Sequence, residues 1–164
     1  MPFEIAVVVS KYNTEITSRM LESVLKTLKN AEGIQTGTVV WVPGAFEIPA
    51  AAKMIATRQP QPDAIVCLGA IIQGKTDQNA YIANSCTIAL QQIQIETGVP
   101  ISYGIISADT LATAWERTEG PLDRGREAAL AAIEMAQLKR KYGRQEHKDL
   151  KITPESLSKS FSHS

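Results

Sequence analysis

Apolar residues follow two patterns along the chain: short continuous runs, and longer stretches in which they recur every three or four positions. The continuous runs predict strands covered on both faces, at residues 3–9, 38–42, 64–68 and 100–106. The periodic stretches predict amphipathic helices at residues 15–30, from Glu47 onward, at 79–97 and at 126–142, with a short helical piece at 110–115. Because strands alternate with helices, we expect an α/β fold whose parallel strands are joined by right-handed crossovers.

The predicted architecture is a three-layer sandwich: a four-stranded parallel, flavodoxin-like sheet with helices on both faces. In such a sheet, ligands bind outside the carboxyl ends of the strands, where the strand order reverses. The loops expected at those ends are residues 10–13, 43–47, 70–77 and 107–109. The third loop follows an apolar run that breaks at Gly69, so we place residues 70–72 in the loop.

The third loop ends in Lys75, Thr76 and Asp77, at the predicted start of a helix. A helix N-terminus beside a lysine favours an anion, and a phosphate above all. The same residues also suit a solvated lysine followed by side chains that cap the helix. From these residues alone, both interpretations stay open.

Candidate ligand contacts lie in the other loops as well. Tyr12 and Tyr103 offer flat faces to a ring-shaped ligand, or simply pack, as tyrosines commonly do. Glu47 can accept hydrogen bonds from sugar hydroxyls, or act as a favourable carboxylate in a first helical turn. Arg117 and Arg124 can clamp an anion, or lie on the surface as ordinary charges.

The composition bounds the class of protein. With 164 residues, of which 44% are apolar, the chain can bury the core of one domain, expected at residues 1–142. Residues 143–164 are polar and serine-rich at their end, and predict a mobile tail. Lysine plus arginine equals aspartate plus glutamate at 17 each, so no net field recruits nucleic acid or an anionic membrane as partner.

Cysteines, histidines and the first residues narrow the chemistry further. The N-terminus enters an apolar run without a basic leader, and the run is too short for a signal or membrane segment, so we expect a cytoplasmic protein. Cys67 and Cys86 form no CxxC pair and predict two buried free thiols rather than a disulfide or metal site. His147 and His163, the only histidines in the sequence, lie in the tail. The predicted domain therefore has no imidazole to act as acid or base.

Five segments, in this order and spacing, carry a resemblance to a known family. They are KYNTEIT, VPGAFEIPAAAK, LGAIIQGKT, ETGVPISYGI and EAALAAIEM. Through them the chain resembles the 6,7-dimethyl-8-ribityllumazine synthases of riboflavin biosynthesis over residues 5–138. The combination of VPGAFEIP with GxxIxGxT is the most specific part of the match.

The resemblance implies an activity and an assembly. Members condense 5-amino-6-(D-ribitylamino)uracil with 3,4-dihydroxy-2-butanone 4-phosphate, two small-molecule substrates, and release phosphate and water without a cofactor or metal. They assemble as pentamers, some of which build larger shells, and the active site lies between neighbouring subunits. We therefore expect this chain to be a transferase that self-associates as a pentamer or as multiples of pentamers.

The resemblance also implies roles for individual residues. Tyr12 would stack on the pyrimidine with Asn13 beside it, and Ala70, Ile71 and Ile72 would line its pocket through backbone polar groups. The remaining contacts fall on the ribityl chain (Ala45, Phe46 and Glu47), on the phosphate (Lys75, Thr76 and Arg117), and on an adjacent subunit (Tyr103, at the usual phenylalanine position). Arg124 stands where a lysine is usual, with the segment after Arg117 shorter by one residue.

The chain departs from the family pattern where the chemistry lies. Gln73 replaces an arginine, Gln78 aligns with the acid/base histidine, and Asn79 and Ala80 replace a Phe-Asp pair. A neutral amide cannot carry a proton near neutral pH. Two interpretations follow: a slow synthase that works by positioning its substrates, or a non-catalytic oligomeric scaffold or lumazine- or flavin-binding protein.

Overall fold

A single parallel sheet organises the chain. The structure is a computed structural model that describes residues 1–143. The described residues contain the strands β1 (Phe3–Ser10), β2 (Ile34–Val42), β3 (Ala64–Ile72) and β4 (Ile101–Ala108), in the order β2-β1-β3-β4. All three strand pairs are parallel. The strand order reverses between β1 and β3, which is where a sheet of this kind binds ligands.

Helices cover both faces of the sheet. They are α1 (Thr14–Asn30), α2 (Ile48–Thr57), α3 (Gln78–Thr97), α4 (Leu111–Glu116) and α5 (Arg124–Tyr142), with 3₁₀ turns at Ala45–Glu47 and Gly120–Leu122. On one face, α1 and α5 pack against side chains such as Val7 and Leu68. On the other face, α2 and α3 pack against side chains such as Val8 and Cys67. The predicted α/β class, parallel four-stranded sheet and three layers are confirmed.

Local sequence signals explain where several helices begin and end. Gly98 adopts φ +67° and donates its N–H to Gln94 O at 3.0 Å, which ends α3 in the left-handed conformation that glycine tolerates best. Thr110 caps α4 by accepting a hydrogen bond from the Thr113 N–H, and Asp123 caps α5 by accepting one from the Arg126 N–H. The segment before α5 therefore ends in a fixed turn.

Two predicted strand boundaries are wrong. The second strand begins at Ile34 rather than at residue 38, because residues 34–36 already pair with β1, starting at Phe3↔Ile34. The third strand does not end at Gly69 but continues to Ile72, since β4 pairs with it as far as Ile72↔Ala108. Ala70 and Ile71 are therefore strand residues, and the third loop begins at Gln73.

Of the remaining expectations, the structure confirms the one for the cysteines and does not describe most of the predicted tail. Cys67 and Cys86 are free and buried, as predicted. Across residues 1–143, no helix has the length and hydropathy needed to cross a lipid bilayer. Residues 144–164, which hold His147 and His163 and most of the predicted tail, lie outside the described residues.

Candidate active site

A cavity of about 150 Å³ lies at the carboxyl ends of β1 and β3, where the strand order reverses. Its lining residues come from two loops, the end of β3 and the start of α3: Tyr12, Asn13, Gly44, Ala45, Phe46, Ala70, Ile71, Ile72, Asn79 and Ile82. Seven of these ten are residues that the resemblance assigned to the pyrimidine or the ribityl chain. The structure thus brings together most of the residues that the resemblance assigned to the pyrimidine and the ribityl chain.

The loop after β1 forms one wall of the cavity. Asn13 has a left-handed backbone (φ 58°, ψ 49°), which asparagine tolerates better than most residues. Its Nδ2 donates a hydrogen bond to Ala70 O at 2.9 Å, which ties the loop to the end of β3. The Tyr12 backbone N–H donates to Pro43 O at 3.1 Å, and the Tyr12 side chain is 74% exposed. The aromatic ring therefore stands at the cavity with one face open to a ligand.

The turn after β2 forms the opposite wall. Glu47 Oε2 accepts a hydrogen bond from the Gly44 N–H at 2.9 Å, so the carboxylate holds its own turn together. Cys86 Sγ donates to Ala45 O at 3.2 Å and anchors the turn to α3. Burial, followed by the nearby Glu47 carboxylate, raises the pKa of the Cys86 thiol, which therefore stays protonated as a donor. Phe46 is 67% exposed at the mouth of the cavity.

The floor of the cavity is the end of β3 with the start of α3. Asn79 Nδ2 donates to Ile72 O at 2.5 Å, and Ile82 stands one turn further along the same face of α3. Sequence reasoning assigned no role in the site to Asn79. The signal that could have found it was spacing, because Ile82, Cys86 and Ile93 recur on one apolar face of the predicted helix and a residue three positions before Ile82 shares that face.

The residues predicted to bind phosphate, together with Gln78, do not line this cavity. Lys75, Thr76 and Gln78 are exposed in the turn between β3 and α3 and in the first residue of α3. Asp77 occupies the N-cap of α3, but within the described chain its side chain accepts no capping hydrogen bond. The interpretation of this turn as a side-chain cap is therefore wrong for Asp77, and Lys75 has no ion-pair partner among residues 1–143.

Three further predicted residues form a group of their own, outside the cavity lining. Arg124 Nη2 donates to Tyr103 O at 3.0 Å, and the Arg124 backbone N–H donates to Arg117 O at 2.8 Å. Arg124 Nη1 also pairs with Glu127 Oε2 at 2.8 Å. Tyr103 is half-buried on β4 and Arg117 is exposed at the end of α4. Within one chain, this group and the cavity are separate.

Comparisons with known proteins identify the family. The family model described as 6,7-dimethyl-8-ribityllumazine synthase matches residues 2–140. The chain belongs to the 6,7-dimethyl-8-ribityllumazine synthase family. Two relatives carry that name: one from Kosmotoga olearia is 40% identical over 141 residues, which are 84% of this chain and 88% of that protein. The other, from Protochlamydia amoebophila, is 42% identical over 137 residues, covering 82% of this chain and 78% of that protein.

The lumazine synthase pattern and the cavity disagree about one position. Gln78, which the resemblance places at the family's histidine position, is exposed and outside the cavity lining. Gln73, at the arginine position, is also exposed, and its backbone N–H donates to Ala108 O at 2.8 Å. Asn79, the next residue after Gln78, is the α3 amide that meets the cavity. The polar group that this chain presents there is therefore a carboxamide fixed to the backbone of β3.

Proposed function

We propose that this protein is a transferase that condenses 5-amino-6-(D-ribitylamino)uracil with 3,4-dihydroxy-2-butanone 4-phosphate to form 6,7-dimethyl-8-ribityllumazine, the penultimate step of riboflavin biosynthesis. One observation carries the proposal: the cavity at the switch point of the sheet is lined by residues of the same motifs that match the family. The scaffold alternative has no specific observation in its favour within residues 1–143.

The cavity suits the ribityl pyrimidine. The exposed ring of Tyr12 offers a stacking face for the pyrimidine, with Asn13 beside it. Residues 70–72 lie along the floor, where the Ala70 and Ile72 carbonyls accept from Asn13 and Asn79 and each keep a second lone pair for a flat heterocycle. Ala45 and Phe46 border the other side, and Glu47 stands in the same turn with Oε1 left to accept hydrogen bonds from ribityl hydroxyls.

The butanone phosphate requires cations that the cavity of a single chain lacks. Lys75 and Thr76 stand at the start of α3, where a free helix N-terminus and a lysine favour phosphate. Tyr103, Arg117 and Arg124 form a separate group in this chain, so we assign them to the site of a neighbouring subunit. A complete site then needs two copies of the chain, which supports self-association, and from the family resemblance we propose that the assembly is a homopentamer or a multiple of pentamers.

An exposed apolar stripe on α3 supports self-association. Tyr81, Ile88 and Ile95 recur at intervals of seven residues and are 74%, 60% and 79% exposed. Such a stripe on a helix marks a protein interface rather than a solvated surface. Changing Ile88→Lys should therefore lower the oligomer mass measured by light scattering, whereas Thr87→Lys, at an exposed position about 100° further round the same helix, should leave it unchanged.

The chemistry must proceed without a histidine in the described part of the chain. One substrate brings an amine, and the other a ketone and a phosphate leaving group, so holding the two in contact can supply much of the acceleration. The Gln78 amide cannot carry a proton near neutral pH, and losing a general base costs about 10² to 10⁴ in rate. We therefore expect a slow synthase. We also propose a cytoplasmic location, where both substrates would be available to it.

The test mixes purified protein with both substrates and follows lumazine formation against the reaction without protein. Gln78→His is measured in parallel. A rate above background for the unaltered protein is the expected result, with a gain of about 10² or more for Gln78→His if that position reaches the reacting atoms. Background rates for both proteins, despite tight binding of the lumazine, would overturn the synthase assignment in favour of a binder or scaffold.

A further inference from the structure

The end of β3 lacks a strand neighbour on one side. Pairing between β1 and β3 ends at Val9↔Leu68, whereas pairing between β3 and β4 continues to Ile72↔Ala108. The carbonyl groups of Ala70 and Ile72 point to the same side of the strand, since backbone groups alternate along a strand. Both carbonyls therefore need partners that β1 does not provide.

Two asparagine side chains supply those partners. Asn13 Nδ2 donates to Ala70 O at 2.9 Å, and Asn79 Nδ2 donates to Ile72 O at 2.5 Å. Each carboxamide is thereby fixed in rotation, and both residues line the cavity. The assignment of nitrogen and oxygen in each amide follows from the same contact, because only the nitrogen can donate to a carbonyl.

Asn79 keeps unused hydrogen-bonding capacity. A carboxamide has two N–H donors and an oxygen that accepts two hydrogen bonds, and Ile72 O takes only one N–H. The neighbouring wall is formed by the apolar side chains of Ile71, Ile72 and Ile82. A polar edge of a ligand placed against these isoleucines would thus meet the Asn79 carboxamide, which can satisfy it, since a polar group left unpaired there is costly.

We propose that Asn79 is a substrate-positioning residue that recognises the ring of the pyrimidine substrate and of the lumazine product. A pyrimidinedione ring carries N–H beside C=O along its edge, and a carboxamide offers the complementary C=O and N–H side by side. Asn79 Oδ1 accepts from the ring N–H while its second N–H donates to the adjacent ring carbonyl. Holding the ring in this way also orients the amine that attacks the ketone. This inference rests on the proposed function for the identity of its ligand.

The experiment is a binding cycle measured by titration calorimetry on the full chain. The probes are 6,7-dimethyl-8-ribityllumazine and its analogue methylated at the ring N–H. We expect Asn79→Ala to weaken binding of the unmodified lumazine about 10- to 100-fold, as for loss of a hydrogen bond that leaves a ligand group unpaired. Methylation should weaken binding to the unaltered protein similarly but change binding to Asn79→Ala by no more than about threefold, since the two changes remove the same contact.

A matched variant and a kinetic readout separate recognition from folding. Asn30→Ala removes an exposed asparagine at the far end of α1 and should leave lumazine affinity unchanged. In steady-state assays, Asn79→Ala should raise KM for the pyrimidine but leave KM for the butanone phosphate unchanged. Equal losses toward both substrates, together with a lowered Tm, would mean that Asn79 only supports the end of β3 and would overturn the proposal.

The remaining outcomes distinguish this inference from the proposed function. If the effects of methylation and of Asn79→Ala on binding are coupled but no turnover occurs, the role of Asn79 stands and the synthase assignment is refuted. Turnover with independent effects of methylation and Asn79→Ala would retain the synthase and refute the role of Asn79. If the unaltered protein binds neither lumazine, both proposals fail.

Discussion

The two parts of β3 differ in what lies beside them. Residues 64–68, the lower part, lie between β1 and β4 and are buried on both faces. Residues 69–72, the upper part, have β4 on one side and the side chains of Asn13 and Asn79 on the other. The strand therefore changes from a core element into the floor of a cavity within a few residues. The comparison shows that side chains, rather than a further strand, complete the sheet at the cavity.

The largest effect should follow from truncating the lower part. Leu68 is fully buried between the sheet and the helices α1 and α5. We expect Leu68→Ala to reduce the free energy of unfolding by about 2–5 kcal/mol, because it removes buried methyl groups and leaves a cavity. Urea titration measures this loss. Ile72→Ala, in the upper part and only half-buried, should cost less than half as much, and equal losses would show that the two parts do not differ in burial.

The next effect concerns the amide that replaces a strand neighbour at Ala70. Asn13→Ala removes the hydrogen bond to Ala70 O and places alanine at φ 58°. We expect a loss of about 2–3 kcal/mol, of which about 1 comes from the hydrogen bond and about 1–2 from the left-handed backbone. Asn13→Gly loses only the hydrogen bond, because glycine tolerates this backbone. It should therefore be about 1–2 kcal/mol more stable than Asn13→Ala in the same titration. Identical losses for both variants would assign the whole effect to the side chain.

A pH dependence should mark the burial of the lower part. Burial raises the pKa of the Cys67 thiol far above its ordinary value, so this thiol ionises near pH 9 only after the chain unfolds. The contribution of the protonated Cys67 thiol to the stability of the folded chain is complete below pH 9 and is lost as the pH rises above it. Above that point, the thiol lowers the free energy of unfolding by about 1.4 kcal/mol per pH unit. Urea titrations from pH 7 to 10 should show a shallower decline for Cys67→Ala; parallel curves would contradict the prediction.

The smallest effect lies where the two parts meet. Ser10 ends β1 beside Gly69, is 1% exposed, and its Oγ has no hydrogen-bond partner within residues 1–143. Because a buried unpaired hydroxyl is unfavourable, Ser10→Ala should change the free energy of unfolding by no more than about 1 kcal/mol, toward greater stability. Thermal unfolding is sensitive enough to detect the sign. A loss of stability would contradict the prediction, because it would show that the buried hydroxyl forms a stabilising hydrogen bond.

Local pattern predicted the elements well but missed where strands end. The apolar run at residues 64–68 and the helical spacing of Ile16, Met20 and Val24 are short-range signals, and both elements formed as predicted. Gly69 appears in the sequence as a break, yet the strand continues because β4 pairs with it. Likewise, pairing with Phe3 extends β2 back to Ile34, across Gln35, Thr36 and Gly37, which break the apolar pattern. Pairing between distant segments is a long-range effect that a local pattern cannot contain.

The sequence predicted those residues of the candidate site that belong to the matched motifs. Tyr12, Phe46 and Ile71 meet at one cavity as their motifs implied. Motif alignment pointed to Gln78, and only the spacing from Ile82 indicated Asn79, because neighbouring residues on a helix point in directions about 100° apart. The separation of Arg117 from the cavity depends on the path of the chain after β4, which no motif records.

The extension of β3 beyond β1 gives the sheet a stepped edge. The four residues that pair with β4 but not with β1, residues 69–72, span about 13 Å at the rise of a parallel strand. A step of this length can support a two-ring heterocycle and the beginning of a sugar chain laid along it. The stagger between β1 and β3 thus limits the length of a ligand that can lie along this step. Redesigned pockets for longer or shorter ligands should start from the length of β1 and of its exit loop, before any lining side chain is changed.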